Sequence, residues 1–400
     1  MPKPFAFHHP DDALAALAQC LAVVGIESSV QRLTGRVTAV DILADRDSPA
    51  ADVSAMDGYA IRISDLALEK SLPVLGESAP GAPPPEMPEV GVIRVFTGAI
   101  VPKLCDAVIK REDTIESEAS IVLTPAARQT ARGDHIRRAG ENARQGSTVV
   151  PRGTHITAAV AATMANFGSL CSHVFARLRV AIITTGDEVG SFEQVPPAPW
   201  QLRNSNQVAL MSLLSQHAWI DTCSTIHCRD DRDALTETLQ EQLKQHDAVL
   251  ITGGVSMGDY DYVPAVVEQL GGKILFHGLP IRPGKPILGA ATQEGKLILG
   301  LPGNPVSATV GCQRFAIPLL ARISGQSDWL PARPQVKLEA GSPQTLPLYA
   351  MRLVRLIAPG IAELVPSQGS GDLVALGRSH GFVEIPPHAS GEGPWPYQSW

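Results

Sequence analysis

From residue 179 to residue 326 the sequence repeats one pattern: a short apolar run, a glycine-, proline- or acid-rich turn, then an amphipathic helical stretch. The apolar runs are "RVAIITTG", "DTCSTIHC", "DAVLITGG" and "KLILGLPG". The helical stretches are "NSNQVALMSLLSQHA", "DRDALTETLQEQLKQH", "VPAVVEQL" and "NPVSATVGCQRFAIPLLARIS". Strands that are apolar throughout are covered on both faces, and alternation with helices supplies the covering layers. Residues 179–326 are therefore predicted to form a doubly wound α/β domain around a parallel sheet.

The rest of the chain follows other patterns. Residues 41–143 read as short strands and turns around the proline-rich loop "GESAPGAPPPEMPEVG" (76–91), which predicts a mainly-β domain. Helical spacing over 11–24 and 154–170 flanks that region. It predicts a discontinuous helical linker domain, 1–40 and 144–178, into which the β domain is inserted. After Trp329, "QVKLEAGS", "YAMRLVRLIA", "DLVALG" and "GFVEIPP" predict a small terminal β-barrel over 327–400. The fold class is thus multidomain α/β plus β, in keeping with 400 residues exceeding what one core organises.

Composition narrows the partners. A formal net charge of -7 argues against general binding to nucleic acid or an anionic membrane, so an anionic ligand must be met by local cations. No stretch approaches the ~20 apolar residues of a membrane span. The N-terminal apolar run opens on Asp11 and Asp12 with leucines at helical spacing, unlike a signal peptide. Six dispersed cysteines without a C-x-x-C pair read as reduced thiols, and a cytoplasmic location is expected.

In open α/β sheets, ligands bind beyond the carboxyl ends of the strands. The unusual residues here fall at those ends: Asp187 and Glu188, then Arg229, Asp230 and Asp231, then Ser256, Asp259 and Asp261, then the turn "LPGNPVS". One such carboxylate is ordinarily a helix cap or a solvated turn, and Asp231 or Asp233 fits a cap for a helix starting near Ala234. Carboxylates at several strand ends of one rim repel each other unless a cation compensates them, and hard oxygen ligands favour Mg²⁺. Gly253, Gly254 and Gly258 allow backbone N–H groups to face an anion. Asn304 stands before Pro305 as a cap, while Asn204, Ser205 and Asn206 share one cap and leave polar groups over. Arg282 and Lys285 sit in the stiff segment "LPIRPGKPILG", which favours anion binding over free solvation. Asp57 in "SAMDGYAIR" and Thr97 in "FTGAIVP" remain ambiguous, since Asp-Gly alone signals a turn. The residues by themselves describe an enzyme that binds a phosphorylated or nucleotide-bearing anion with Mg²⁺ at the sheet rim. They show no Walker A motif, zinc spacing or Ser-His-Asp order.

The segments "SAMDGYA", "TGAIVP", "IRRAGEN", "TTGDEV", "NSNQVAL", "RDD", "TGGVSMGDYDYV", "RPGKP", "GLPGNPVSAT" and "PSQGSG" together resemble the molybdopterin molybdenumtransferases, the family of bacterial MoeA proteins and the gephyrin E domain. The resemblance implies insertion of molybdate into adenylylated molybdopterin, with release of molybdenum cofactor and AMP. It also implies a homodimer whose active cleft lies between the α/β domain of one subunit and the β domain of the other, and the adenylyltransferase of the same pathway as a possible partner. Carried over by position, it assigns catalysis or substrate positioning to Asp57, Thr97, Glu188, Asp230 and Asp261, with Glu188, Asp230 and Asp261 as metal ligands. Asp187, Ser205, Gly253, Gly254, Ser256, Arg282, Lys285, Pro302, Asn304, Pro305 and Ser370 are then expected to contact substrate. The sequence departs from the pattern at Asn142, where the family has aspartate and a cation is held more strongly, at Arg282 and Gly278, where lysines occur, and at Leu104, where glycine is usual. These departures keep open a diverged paralogue using tungstate, or a non-catalytic scaffold.

Overall fold

The computed structural model describes residues 4–68, 70–190, 196–256, 258, 261–342 and 345–400; Asp259 lies outside them. The chain forms two compact units. One comprises Met1–Val40, Arg152–Ala161 and Cys171–Trp400, the other Asp41–Pro151 and Ala162–Leu170.

The first unit is built on a six-stranded sheet in the order Ile220–Cys228, Leu178–Thr185, Ala248–Thr252, Leu297–Leu301, Leu288–Ala291, Lys273–His277. The first four strands pair in parallel, as expected; the last two are joined through antiparallel ladders, which the strand-helix pattern did not foresee. Residues 292–296 are too few for a parallel crossover, so the strands they connect must form a hairpin. Side chains alternate strictly between faces. Val180, Ile182 and Leu250 join one core with Leu14, Leu210 and Leu319, whereas Ala181, Ile183 and Ile251 join a second with Leu235, Leu239 and Val266. Two-sided burial is why these strands read as unbroken apolar runs.

Eight α-helices are described: α1 (Pro10–Ala18), α2 (Ala158–Asn166), α3 (Ser205–Leu214), α4 (Arg232–Gln245), α5 (Val263–Gln269), α6 (Pro305–Gly311), α7 (Ile317–Ile323) and α8 (Leu373–Arg378). A π-helical turn, Cys312–Ala316, joins α6 to α7. Both helices expected in the linker are shorter than their apolar spacing. After α1 the backbone N–H groups of Ala22 and Val24 donate to Gly295 and Ile323, and the chain enters a strand, Ile26–Val30, paired with Ser172–Phe175. Before α2, Thr154 and Ile156 are held by backbone bonds to Thr38 and Arg36; after it, Gly168 at φ +73° ends the helix. Residues 1–40 and 144–178 thus hold two short helices and a two-stranded ladder.

The terminal strands close into a barrel. Tyr349–Ala358, Ile361–Leu364, Gln335–Leu338, Trp395–Ser399 and Gly381–Ile385 pair in that order, and the last returns to the first. Val336, Leu338, Val354 and Val383 fill its interior. A short strand, Ile281–Arg282, leaves the α/β domain and pairs in parallel with Tyr349–Ala350, which stitches the "RPGKP" segment onto the barrel. The second unit carries its own six-stranded sheet, in the order Ala107–Lys110, Gly58–Ile61, Val92–Val95, Leu72–Ser78, Ser120–Leu123, Thr114–Glu116. Among the described residues, no helix is long and apolar enough to cross a membrane.

Candidate active site

Two adjoining cavities open at the carboxyl ends of the parallel strands. The larger, about 1080 Å³, is lined by Glu188, Ser205, Asp230, Gly253, Gly254, Ser256, Asp261 and Pro305 among others. The second, about 760 Å³, lies between the α/β domain and the barrel and is lined by Arg282, Lys285, Arg352 and Ser370. Pro286, Pro302 and Asn304 line both, so the two form one continuous cleft. Nearly all the residues singled out in this half of the sequence are thus brought together.

The local sequence explains the placement. Asn204 caps α3, its Oδ1 accepting from the Gln207 N–H at 3.1 Å. Asn206 instead spans two strand ends, its Nδ2 donating to Thr252 Oγ1 and to the Gly303 carbonyl, each at 2.8 Å. Gly253 has φ +94°, and a Cβ there would lie 2.5 Å from Thr185 Oγ1, so only glycine lets the turn close against the neighbouring strand. Asn304 occupies the cap position of α6 without a side-chain capping bond, so its amide is left to the cleft.

The rim carboxylates have distinct roles. Asp231 caps α4, accepting from the Ala234 N–H at 2.8 Å, which is the ordinary reading of that residue. Asp187 and Asp230 exchange bonds, each backbone N–H donating to the other's carboxylate at 3.3 Å. Burial, with the charges of Glu188 and Asp187, pushes the Asp230 carboxyl above its usual range. Asp261 lines the cavity while its Oδ2 accepts from the Gly258 N–H at 2.6 Å, closing its own turn.

Among the described residues, no three His, Cys, Asp or Glu side chains are grouped to hold a metal. Glu188, Asp230 and Asp261 therefore do not form a ready-made three-carboxylate site. The rim does fit Mg²⁺ in its usual manner, through one or two carboxylates completed by waters and substrate phosphates. Burial is the main cause that raises Asp230, and the repulsion from Glu188 and Asp187 that adds to it is what a cation would relieve.

On the cationic side, Lys285 Nζ stands 5.5 Å from the centroid of the Phe5 ring. Arg352 was missed at the sequence level. Its only signal was a charge in the apolar run "YAMRLVRLIA", on the strand face that Ala350 and Val354 give to the barrel interior and opposite to Met351 and Leu353.

The second unit holds a separate cluster. Asp57 Oδ1 accepts from both the N–H and the hydroxyl of Thr97 at 2.8 Å, and these bonds hold the carboxyl below its usual value. Asp57 shares a cavity of about 550 Å³ with Arg111, Glu112, Thr114 and Glu116. Glu116 takes two bonds from Arg111 and one from the Tyr59 hydroxyl, which lower its carboxyl to about 2. Asn142 Oδ1 accepts from Arg137 Nη2 at 2.9 Å, so the amide that replaces a carboxylate has a partner on its own turn.

The geometry defines a class before it defines a family: an α/β binding domain with a cleft at its strand ends and a barrel supplying one wall. Residues 8–168 match the family described as the MoeA N-terminal region (domain I and II), and residues 181–322 match one described as a probable molybdopterin binding domain. The molybdopterin molybdenumtransferase of Synechococcus elongatus is 36% identical over 366 residues, 88% of each chain. The protein of that name from Haemophilus influenzae is 32% identical over 311 residues, 75% of this chain and 73% of the relative. The crystal structure of the molybdopterin biosynthesis moeA protein from Pyrococcus horikoshii superposes with a TM-score of 0.79 at 26% identity, covering 98% of this chain and 99% of that one. This chain belongs to the molybdopterin molybdenumtransferase family.

Proposed function

We propose that the protein inserts molybdate into adenylylated molybdopterin in a Mg²⁺-dependent reaction that cleaves the adenylate and releases molybdenum cofactor and AMP. The observation that carries this reading is the pairing of an acid-rimmed cavity with a cation-lined one through shared walls. Two anions must meet in this reaction, and each cavity suits one of them.

The large cavity takes the nucleotide-bearing substrate. The Gly253–Gly254 turn lets backbone N–H groups approach the phosphates closely, and Ser205 and Ser256 add hydroxyl donors. Glu188 and Asp230 would hold Mg²⁺, with Asp261 as a further oxygen ligand, and the cation would neutralise the pyrophosphate and polarise its phosphorus. In the second cavity Arg282, Lys285 and Ser370 hold molybdate, with Arg352 completing the cationic wall. Fixed donors need little reorganisation as charge moves during transfer, which is where such a site gains its rate. Asp57, oriented by two bonds from Thr97, acts from the β domain of a partner subunit in a homodimer. The protein is read as cytoplasmic, and the adenylyltransferase that makes its substrate is a natural partner.

The test is direct. Purified protein is mixed with adenylylated molybdopterin, Mg²⁺ and either molybdate or tungstate, while AMP release and cofactor formation are followed. Turnover with molybdate is expected; turnover with tungstate alone would redefine the substrate, and tight pterin binding without turnover on either oxyanion would reject the enzymatic reading.

A further inference from the structure

Four charged side chains from four separate segments meet beside the cation-lined cavity. Arg314, on the π-helical turn that continues α6, is fully buried. Its Nε donates to Glu384 Oε2 at 2.6 Å, and its Nη2 to Glu384 Oε1 at 3.3 Å and Asp11 Oδ1 at 2.5 Å. Arg333, in the segment leading into the barrel, donates to the same Glu384 oxygen at 2.6 Å and to Asp11 Oδ2 at 3.2 Å. Asp11 belongs to the first turn of α1, and Glu384 to the barrel strand Gly381–Ile385. Two cations and two anions therefore close a ring. Burial pushes the Asp11 carboxyl up, but the charge and hydrogen bond of Arg314 more than reverse it and leave it below its usual value.

The position of this ring relates it to the cleft. Glu384 stands directly opposite Met351 in the barrel ladder, so both side chains leave the same face of the sheet. Met351 lines the cation-lined cavity, and Arg352 follows it in the chain. Val306 and Ser307 of α6 line the same cavity from the α/β side, on the helix that runs into the turn bearing Arg314. The cluster thus ties the two walls of the cavity to each other and to the N-terminal helix.

We infer that Arg314, Arg333, Asp11 and Glu384 form a positioning clasp that sets the spacing between the barrel wall, which carries Arg352, Ser370 and the stitched Arg282–Lys285 segment, and the α6 wall bearing Val306 and Ser307, and so the oxyanion affinity of the cavity. The inference rests on the cavity being the oxyanion subsite proposed above. Apolar packing between domains is non-directional, whereas the guanidinium fork fixes both distance and angle to a carboxylate. Replacing a buried ion cluster with apolar residues of similar size is often neutral for stability, which lets positioning be separated from folding.

The experiment compares wild type with Arg314→Met/Glu384→Leu, in which Asp11 and Arg333 still pair with each other, and with Arg314→Lys, which keeps the charge but not the fork. Three quantities are read: the denaturation midpoint, kcat and KM for molybdate, and the distance distribution between spin labels introduced as unnatural amino acids at the exposed positions Leu356 and Met211. The double variant is expected to fold with a near-wild-type midpoint, to raise KM for molybdate by about tenfold with kcat and the pterin-substrate KM unchanged, and to broaden the label distances. Arg314→Lys is expected to fall between the two. A folded double variant whose molybdate KM is that of wild type overturns the inference. If the double variant does not fold, Asp11→Asn, at the partly exposed corner of the ring, is read by the same criteria. Should wild type itself fail to turn over an oxyanion, the cavity assignment fails, and the label distances alone decide whether the clasp exists.

Discussion

Asp230 and Asp231 are neighbours with opposite physical roles. Asp231 caps α4, and removing such a cap costs about 1 kcal/mol. Asp230 is desolvated by burial and crowded by Glu188 and Asp187, so its ionised form is disfavoured in the folded protein. Asp231→Ala is therefore expected to lower the denaturant midpoint while leaving AMP release unchanged. Asp230→Asn should leave the midpoint equal or higher and reduce AMP release by roughly 10²-fold or more, the usual scale for losing one preorganised charge contact. Equal effects of both variants on turnover would remove Asp230 from the site. At this scale much was legible in the sequence. A cap at Asp231 or Asp233 is legible from the helix expected near Ala234, and the structure gives it to Asp231; Leu104, a leucine where the resemblance expects glycine, has φ +68° and is 76% exposed. Arg352 was not legible, because its role arises only when a barrel strand is laid beside the "RPGKP" segment.

Among the elements, the four parallel strands were readable because two-sided burial leaves an apolar signature in the sequence itself. The antiparallel Leu288–Ala291 strand carries no comparable signal, since half of what makes it a strand is space left for its neighbours. A Cβ on Gly289 would lie 2.3 Å from Phe276 Cζ on the paired strand and 2.8 Å from Leu17 Cδ2 of α1. The absence of a side chain there is what lets α1 and Phe276 pack on the sheet. Gly289→Ala is expected to cost about 1–3 kcal/mol through overpacking, read as a lower denaturant midpoint with an unchanged slope. A midpoint equal to wild type would show that Phe276 and Leu17 move aside without penalty. The clasp was hidden for a related reason. Arg314 is separated from Glu384 by 70 positions and from Asp11 by 303, and neither periodicity nor a motif links them.

For the molecule as a whole, the charge pattern dictates how it meets acid. Glu116 is lowered to about 2 by Arg111 and Tyr59, Asp57 is lowered by Thr97, Glu141 by Arg137, and Asp372 by backbone donors. Asp52 and Asp11 are also lowered, burial notwithstanding, by hydrogen bonds and arginine charges, and Glu241 and Glu294 are lowered by side-chain hydrogen bonds. In the unfolded chain these carboxylates return to their ordinary 3.8 or 4.5, where they bind protons that the folded state refuses. Their contribution is thus fully present above those values and is lost as pH falls through the folded ones. Asp230 has the opposite sign: its contribution is present at low pH and lost as pH rises through its raised folded value. With eight carboxylates against one, and with half-buried His217 refusing a proton that the unfolded chain takes up below 6.5, the thermal midpoint should decline slightly as pH passes below 6.5 and fall steeply below about 4. Four of the eight, Asp52, Asp57, Glu116 and Glu141, lie in the Asp41–Pro151 unit, which is much the smaller of the two, so that unit should lose stability first. A midpoint series by circular dichroism from about pH 8 to about pH 2.5 should therefore resolve one transition at neutral pH into two in acid. High salt should blunt the split, because five of the eight, Asp57, Glu116, Glu141, Glu241 and Glu294, are exposed and screened, whereas Arg314 is buried. A single transition that shifts uniformly down to the lowest pH would contradict this, and would mean that the two units unfold as one.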